Sequence, residues 1–166
     1  MTTQERQILR DERVSQLLTA LSQKAGIAKA MVEAYGSDAK QVVKKDVERD
    51  IRQWVESVRD DHDAKDINRN INGMHRFFWG PNEDEKMVYT FEDTDKSRTY
   101  TVTECPLAVY AREHGIEEWA AMFFCDNYND IAHTYNDHMS LSFEKKMMDG
   151  ADCCRFTFHM KKSISV

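Results

Sequence analysis

The stretch Lys86–Glu104, KMVYTFEDTDKSRTYTVTE, decides the fold of this chain. Two runs rich in β-branched and aromatic residues, Lys86–Phe91 and Arg98–Glu104, flank the polar turn EDTDKS, which is typical of a β-hairpin. Successive side chains of a strand point to opposite faces. Tyr100 and Val102 then share one face, and the other face carries Thr99, Thr101 and Thr103. The stretch therefore predicts a hairpin in an antiparallel sheet with one buried face.

The segment before the hairpin has helical periodicity. Residues Thr3–Ser22 carry apolar side chains at helical spacing, and Gly26 is expected to end this first helix. Ile27–Tyr35 predicts a short second helix closed by Gly36. A third helix is expected to begin at Ser37 or Asp38. Its predicted buried face consists of Val42, Val43, Val47, Ile51, Trp54, Val55 and Val58.

The segment after Asn72-Gly73 changes period. Met74–Trp79 is predicted to be strand-like because it is rich in aromatics and bounded by Gly80-Pro81. Cys105-Pro106 is expected to start a helix that leads to Gly115. Met139–Lys146 and Cys153–Met160 are strand candidates on either side of the Asp149-Gly150 turn. This order predicts an α+β fold in which N-terminal helices pack on an antiparallel sheet formed by the C-terminal half.

Length and composition narrow the classes of protein further. The 166 residues fit a single domain, 1–166, with a helical part at about 1–70 and a sheet-containing part at about 71–166. A net charge of −6 argues against a nucleic-acid partner. No apolar run suits a membrane span or a signal peptide, so we expect a cytoplasmic protein with reduced cysteines, and a homo-oligomer is compatible with the sequence.

The stretch Trp119–His138 carries the densest set of chemical groups. An apolar start leads to Cys125, after which Asp126, Asp130, His133 and Asp137 follow at i, i+4, i+7 and i+11. On one continuous helix these four would share a face. A solvated acidic face is the ordinary explanation of such a stripe. A thiol beside it suggests a cleft instead, and we expect Cys125, Asp126 and His133 to face one cavity with aromatic walls from Phe77, Phe78 or Trp79.

The four cysteines differ in their surroundings. Cys154 alternates with Phe156 and Phe158, which is typical of a core thiol, whereas Cys153 falls on the opposite face. Cys105 precedes a helix, and a helix N-terminus favours a thiolate. Cys125 lies beside carboxylates, which disfavour a thiolate but supply proton-transfer groups. We therefore predict Cys125 as the nucleophile, with Cys105 as the alternative.

The chain carries three short motifs, Glu104-Cys105-Pro106, Phe124-Cys125-Asp126 and the terminal stretch 150–158, GADCCRFTF. Together these motifs resemble the L-2-amino-thiazoline-4-carboxylic acid hydrolase family. The resemblance covers roughly residues 85–160, and its matching residues are Cys105, Cys125, Asp126 and Cys154. The chain departs from the pattern in the acidic, histidine-containing segment Asp130–His138 and in the extra Cys153.

The resemblance implies a hydrolase that opens a small cyclic amidine-like substrate, 2-aminothiazoline-4-carboxylate, to N-carbamoyl-cysteine. A cysteine thiolate or a carboxylate-activated water would attack the ring carbon, and Asp126 or His133 would move protons. Asp130 would face the amidinium, with Phe78 and Trp79 as apolar walls. A substrate carboxylate needs a cation, for which Arg76, Arg98 and Arg155 are candidates. This reaction calls for no cofactor.

Two other functions stay open on the sequence. The C-terminal strands with their glycine-then-cysteine end are also similar to vinyl-reductase-type domains, which suggests a non-catalytic binder of small molecules. Alternatively, a divalent metal could be held by Asp126, Asp130, His133 and His138 in a metal-dependent hydrolase.

Overall fold

The computed structural model describes residues 3–78 and 86–161. Two long helices joined by a short connection open the chain, and a four-stranded sheet lies in its C-terminal half. The helices are α1 (Thr3–Tyr35), α2 (Asp38–Ala64), α3 (Ile71–Phe78), α4 (Pro106–His114), α5 (Glu117–Ala120) and α6 (Tyr128–Tyr135). A π-helical turn (Ala121–Cys125) continues α5, and a 3-10 turn (Met147–Asp149) precedes the last strand. The strands are β1 (Val88–Asp93), β2 (Ser97–Glu104), β3 (Met139–Lys145) and β4 (Cys154–Met160).

The sheet is antiparallel throughout, in the order β1-β2-β4-β3. The predicted hairpin is confirmed: β1 pairs with β2, and Phe91 lies opposite Tyr100. Alternation along β2 and β4 sorts their side chains as expected. Tyr100, Val102, Phe156 and Phe158 are buried on the inner face, whereas the outer face carries polar pairs such as Thr99 and Thr157, whose hydroxyls are 2.9 Å apart.

Two apolar clusters make up the core. One lies between the inner face of the sheet and helices α2, α3 and α6, where Val55, Met74 and Tyr135 pack on the strands. The other joins α1 to α4, α5 and the π-helical turn, with Leu21 and Ala111 fully buried. The predicted α+β architecture, helices packed on an antiparallel sheet, is therefore confirmed.

The first two predicted helices are one. Gly26 lies inside α1 rather than ending it, because a helical glycine costs only about 1 kcal/mol relative to alanine. The buried Ala25 and Ala28 on either side favour continuation by packing against the core. Gly36, which has a positive φ of 80°, ends the helix as expected.

The predicted strand-like segment at Met74–Trp79 is wrong where the structure describes it. Ile71–Phe78 is helix α3, and Trp79 lies outside the described residues. The missed signal is Asn70, whose side-chain oxygen accepts hydrogen bonds from the N–H groups of Asn72 (2.9 Å) and Gly73 (3.0 Å). Asn70 is thus the N-cap of α3, and asparagine is among the preferred N-cap residues. None of the described helices has both the length and the apolar character of a membrane span.

Candidate functional site

Three cysteines from separate elements meet where the two core clusters adjoin. Cys105 ends the connection after β2, Cys125 ends the π-helical turn, and Cys154 begins β4. All three are half-buried thiols packed against the cluster around α1 and α4, and Cys105 and Cys154 also contact the cluster under the sheet. We refer to these three residues as the cysteine cluster. Each belongs to one of the three sequence motifs, so motifs distant in sequence become neighbours in space.

Cys105 occupies the N-cap of α4, and Pro106 follows as the first helical residue, as the sequence predicts. Its backbone is extended, and its carbonyl accepts the N–H groups of Ala108 (3.0 Å) and Val109 (3.1 Å). The thiol therefore lies at the positive end of a nine-residue helix. Such a position favours a negatively charged sulfur.

Cys125 owes its position to the π-helical turn. The N–H of Asp126 donates to the carbonyl of Ala121 at 2.9 Å, a wider turn than in an α-helix. The side chain of the buried Asn127 donates to the carbonyl of Met122 at 2.7 Å and so satisfies a backbone group. π-helical turns are frequent at functional sites. Asn127 is a residue that sequence reasoning missed, since a polar side chain after an aspartate is typical of a loop.

The surroundings of Cys125 favour the neutral thiol. Burial raises its pKa well above the ordinary cysteine value, and the thiols of Cys105 and Cys154 and the carboxylate of Asp126 raise it further. Lys146 acts in the opposite direction but does not outweigh them. Cys125 is therefore a neutral thiol at neutral pH rather than a thiolate.

Asp126 forms an ion pair with Lys146, their nearest atoms 2.8 Å apart. Burial lowers the pKa of Lys146, but the hydrogen bond that it donates to Asp126 and the nearby negative charges together outweigh burial, and the net pKa is raised. The ammonium also lies 4.8 Å from the ring centre of Phe143. Lys146 was not predicted, because it lies twenty positions after Asp126 and only the return of β3 brings it close. A carboxylate and an ammonium thus adjoin the cysteine cluster.

Cys154 and Arg155 point to opposite faces of β4. The Sγ of Cys154 accepts a hydrogen bond from the N–H of Met147 at 3.2 Å, and burial raises the pKa of its thiol. Arg155 instead lies on the outer face, where it donates to Glu144 and Thr101, each at 3.0 Å. Arg155 is thus separated from the cysteine cluster by the sheet.

Asp126 and His133 border different cavities. Asp126 lies at a polar cavity beside Lys40 and Lys44, whereas His133 lies in a groove of about 430 Å³ between α2 and α6. The π-helical turn and the break at Asp126 and Asn127 interrupt the helix, so the spacing of i, i+4 and i+7 no longer keeps the stripe on one face. Asp130 borders both cavities.

The groove beside His133 is lined by charged and polar side chains. We call it the α2–α6 groove. Its lining consists of Arg52, Glu56, Arg59, Arg69, Asp130, His133, Thr134 and Asp137. The three arginines were not predicted for this place, and Arg76, Arg98 and Arg155 are not among its lining residues.

Phe78 lines a separate, apolar cavity of about 360 Å³. Side chains from α1, α2, α3, α6 and the π-helical turn surround it, among them Phe77, Phe124 and Tyr128. Trp79, which was predicted beside Phe78, is outside the described residues. Within residues 3–78 and 86–161, no three histidine, cysteine, aspartate or glutamate side chains are arranged to hold a metal ion, so Asp126, Asp130, His133 and His138 are not assembled as ligands.

An α+β domain with a cysteine cluster under an antiparallel sheet is thus the class that the structure defines. The model of the L-2-amino-thiazoline-4-carboxylic acid hydrolase family matches residues 17–158, and the chain belongs to this family. Membership indicates a function of hydrolase type. No curated protein matches the sequence significantly.

A solved structure shares the fold. It is a trafficking protein particle complex subunit 3 from Naegleria fowleri, covalently bound to palmitic acid. The TM-score is 0.51 at 9% sequence identity, and the match covers 94% of this chain and 99% of that chain. At this identity the likeness concerns the arrangement of helices and strands alone.

Proposed function

We propose that the protein hydrolyses a small cyclic amidine-like substrate of the 2-aminothiazoline-4-carboxylate type at the cysteine cluster. The observation that carries this proposal is the convergence of Cys105, Cys125 and Cys154, one from each family-like motif, beside the Asp126–Lys146 ion pair. A cytoplasmic location and a small-molecule substrate without a cofactor belong to the same proposal.

The surroundings of Cys105 and Cys125 suggest a different catalytic role for each. Cys105 acts as the nucleophile, because the N-terminus of α4 stabilises a thiolate. Cys125 donates a hydrogen bond to the leaving sulfur as a neutral thiol, because burial and its neighbours raise its pKa and keep it protonated. This reverses the assignment made from sequence, in which Cys125 was preferred for the proton-transfer groups in its own segment. Two chemically identical groups in different surroundings can take opposite roles in this way.

The reaction balances in two steps. The Cys105 thiolate adds to the amidinium carbon between the ring sulfur and nitrogen, the ring C–S bond breaks, and the released thiolate takes a proton from the amidinium nitrogen. Water then attacks the same carbon and the bond to Cys105 breaks, so that the thiolate is restored and N-carbamoyl-cysteine leaves. One proton of the water stays on the nitrogen of the product, and the other passes to solvent. Asp126 binds the amidinium of the substrate and Lys146 binds its carboxylate. The two charges of the substrate thus replace the Asp126–Lys146 ion pair.

Single cysteine substitutions test this assignment. Turnover of 2-aminothiazoline-4-carboxylate, followed by mass-spectrometric detection of N-carbamoyl-cysteine, is expected to vanish in Cys105→Ser and to fall by about 10–100-fold in Cys125→Ala, which loses the hydrogen-bond donor. Cys153→Ser is the matched control, because this half-buried thiol neighbours Cys154 but is outside the cluster, and it should retain normal turnover. Full activity in both Cys105→Ser and Cys125→Ala would exclude covalent catalysis and favour direct activation of water at Asp126.

The apolar cavity favours a second candidate, a domain that binds an apolar small molecule without turning it over. Its aromatic and aliphatic lining suits an acyl chain, with Lys24 at its border for a carboxylate. Ile51→Trp would fill this cavity, and Val109→Trp, at an exposed position of α4, is the control. Binding of a fluorescent fatty acid that Ile51→Trp alone abolishes, together with no turnover of any aminothiazoline, would establish this function in place of the first.

A further inference from the structure

The α2–α6 groove brings charged side chains of both signs together from two helices. Arg52, Glu56 and Arg59 lie at i, i+4 and i+7 on α2, and Asp130 and His133 lie on α6 across from them. The groove has a volume of about 430 Å³, which is within the range of cavities that hold small ligands. None of the cysteines is among its lining residues.

Several charged side chains of the groove are not paired with one another. Within the described ranges, the side chains of Arg52, Glu56, Asp130 and His133 have no hydrogen bond or ion pair. The neighbouring cavity beside Asp126 behaves differently, because Lys40 pairs there with Glu118 and Lys44 with Glu48. Opposite charges that face each other without pairing can each bind a complementary group of one ligand.

Arg69 is held in place at the end of the groove. Its Nε lies 2.9 Å from Asp63, and its Nη1 donates to the carbonyl of Tyr135 at 3.2 Å. Asn136 donates back to the carbonyl of Arg69 at 2.6 Å, which fixes the loop to the end of α6. A guanidinium held in this way binds a carboxylate at little entropic cost.

We propose that the α2–α6 groove binds a free α-amino acid as a zwitterion. Its carboxylate contacts the arginines, and its ammonium contacts Asp130 and Glu56. A phosphate fits less well, because the arginines are balanced by three acidic residues, Glu56, Asp130 and Asp137. The binding site is separate from the cysteine cluster and does not depend on the hydrolase proposal.

Ligand-observed NMR on the full chain tests the site. The probes are the twenty standard amino acids, each at about 10 mM, followed for the strongest binder by its N-acetyl and its amide derivative. We expect saturable binding of at least one amino acid and at least about tenfold weaker binding of both derivatives, since each lacks one charge.

Variants locate the binding. Arg52→Gln and Asp130→Asn should each weaken it by about tenfold or more. Arg49→Gln is the matched control, because Arg49 is an exposed arginine of α2 that pairs with Asp46 and Asp50 away from the groove. Cys105→Ser should also bind normally, which separates this site from the hydrolase site. Absence of saturable binding, equal binding of the N-acetyl derivative, or an equal loss in Arg49→Gln would overturn the proposal.

Discussion

At the scale of single residues, two glycines inside helices differ in the space around them. Gly73 lies in α3 where the chain passes tightly against its neighbours. An added Cβ would lie 2.5 Å from the hydroxyl oxygen of Tyr135 and would clash with the backbone carbonyl oxygen of Asn68. That hydroxyl is also hydrogen bonded to Nδ1 of the buried His62 at 2.8 Å. Gly26, by contrast, has nothing within 4 Å of an added Cβ.

We expect Gly73→Ala to lower the free energy of unfolding by at least about 1–3 kcal/mol, since backbone at Asn68 must move. Gly26→Ala should raise it by about 0.5–1 kcal/mol, because alanine restricts the unfolded chain and favours the helix. Urea unfolding followed by circular dichroism measures both changes. Equal effects of the two substitutions would contradict the close approach at Gly73.

At the scale of the elements, α1 shows why the spacing of apolar residues alone does not predict which of them are buried. Leu21 is fully buried between α1 and the helices around α4, whereas Ile27, less than two turns later, is 64% exposed. The helix is much longer than the surface it covers, so part of its apolar residues face solvent. Burial by tertiary packing, not helical propensity, supplies most of the stability of such a helix.

Truncation at these two positions separates the buried face of α1 from its exposed face. Leu21→Ala should cost about 2–5 kcal/mol, because it removes buried methyl groups and leaves a cavity. Ile27→Ala should change the unfolding free energy by less than about 0.5 kcal/mol, as expected of an exposed position. Thermal unfolding of both variants checks this expectation. A large loss in Ile27→Ala would mean that this side chain is covered in solution.

At the scale of the whole molecule, two tyrosines join separate elements, one a helix to the sheet and the other two helices. Tyr100 of β2 contacts His75 of α3 through a 2.8 Å hydrogen bond, and Tyr135 of α6 contacts His62 of α2. Both side chains are almost completely buried. Burial raises the pKa of Tyr100 to about 12 and that of Tyr135 to about 12. Each stays neutral in the native state where an unfolded tyrosine ionises.

This difference makes the fold sensitive to alkali. An unfolded tyrosine has a pKa of about 10, so both tyrosines give their full stabilisation below that pH. Stability is then lost as pH rises from about 10 through about 12, by up to about 1.4 kcal/mol per tyrosine per pH unit. Urea unfolding across this range should show a shallower loss in Tyr100→Phe than in the parent. Tyr35→Phe, at a 77% exposed position, should follow the parent, and an unchanged slope in Tyr100→Phe would refute the linkage.

The sequence by itself determined the local structure of those segments that have a strong periodic pattern or characteristic turn residues. The hairpin at Lys86–Glu104, the helix start at Cys105-Pro106 and the buried alternation of Phe156 and Phe158 followed from periodicity and turn residues. The family also followed from the order of three short motifs, and the match to residues 17–158 confirms it. These features depend on near neighbours in the chain, which the sequence displays directly.

Only the tertiary structure decided the arrangement of the candidate site. The π-helical turn, which has no clear sequence signal, moved Asp126 away from His133. The return of β3 brought Lys146 to Asp126, and packing against the cluster around α1 and α4 removed solvent around Cys125 and raised its pKa. Contacts between residues far apart in the chain and the loss of solvent around them set these properties, because side-chain charge depends on surroundings that a linear pattern does not contain.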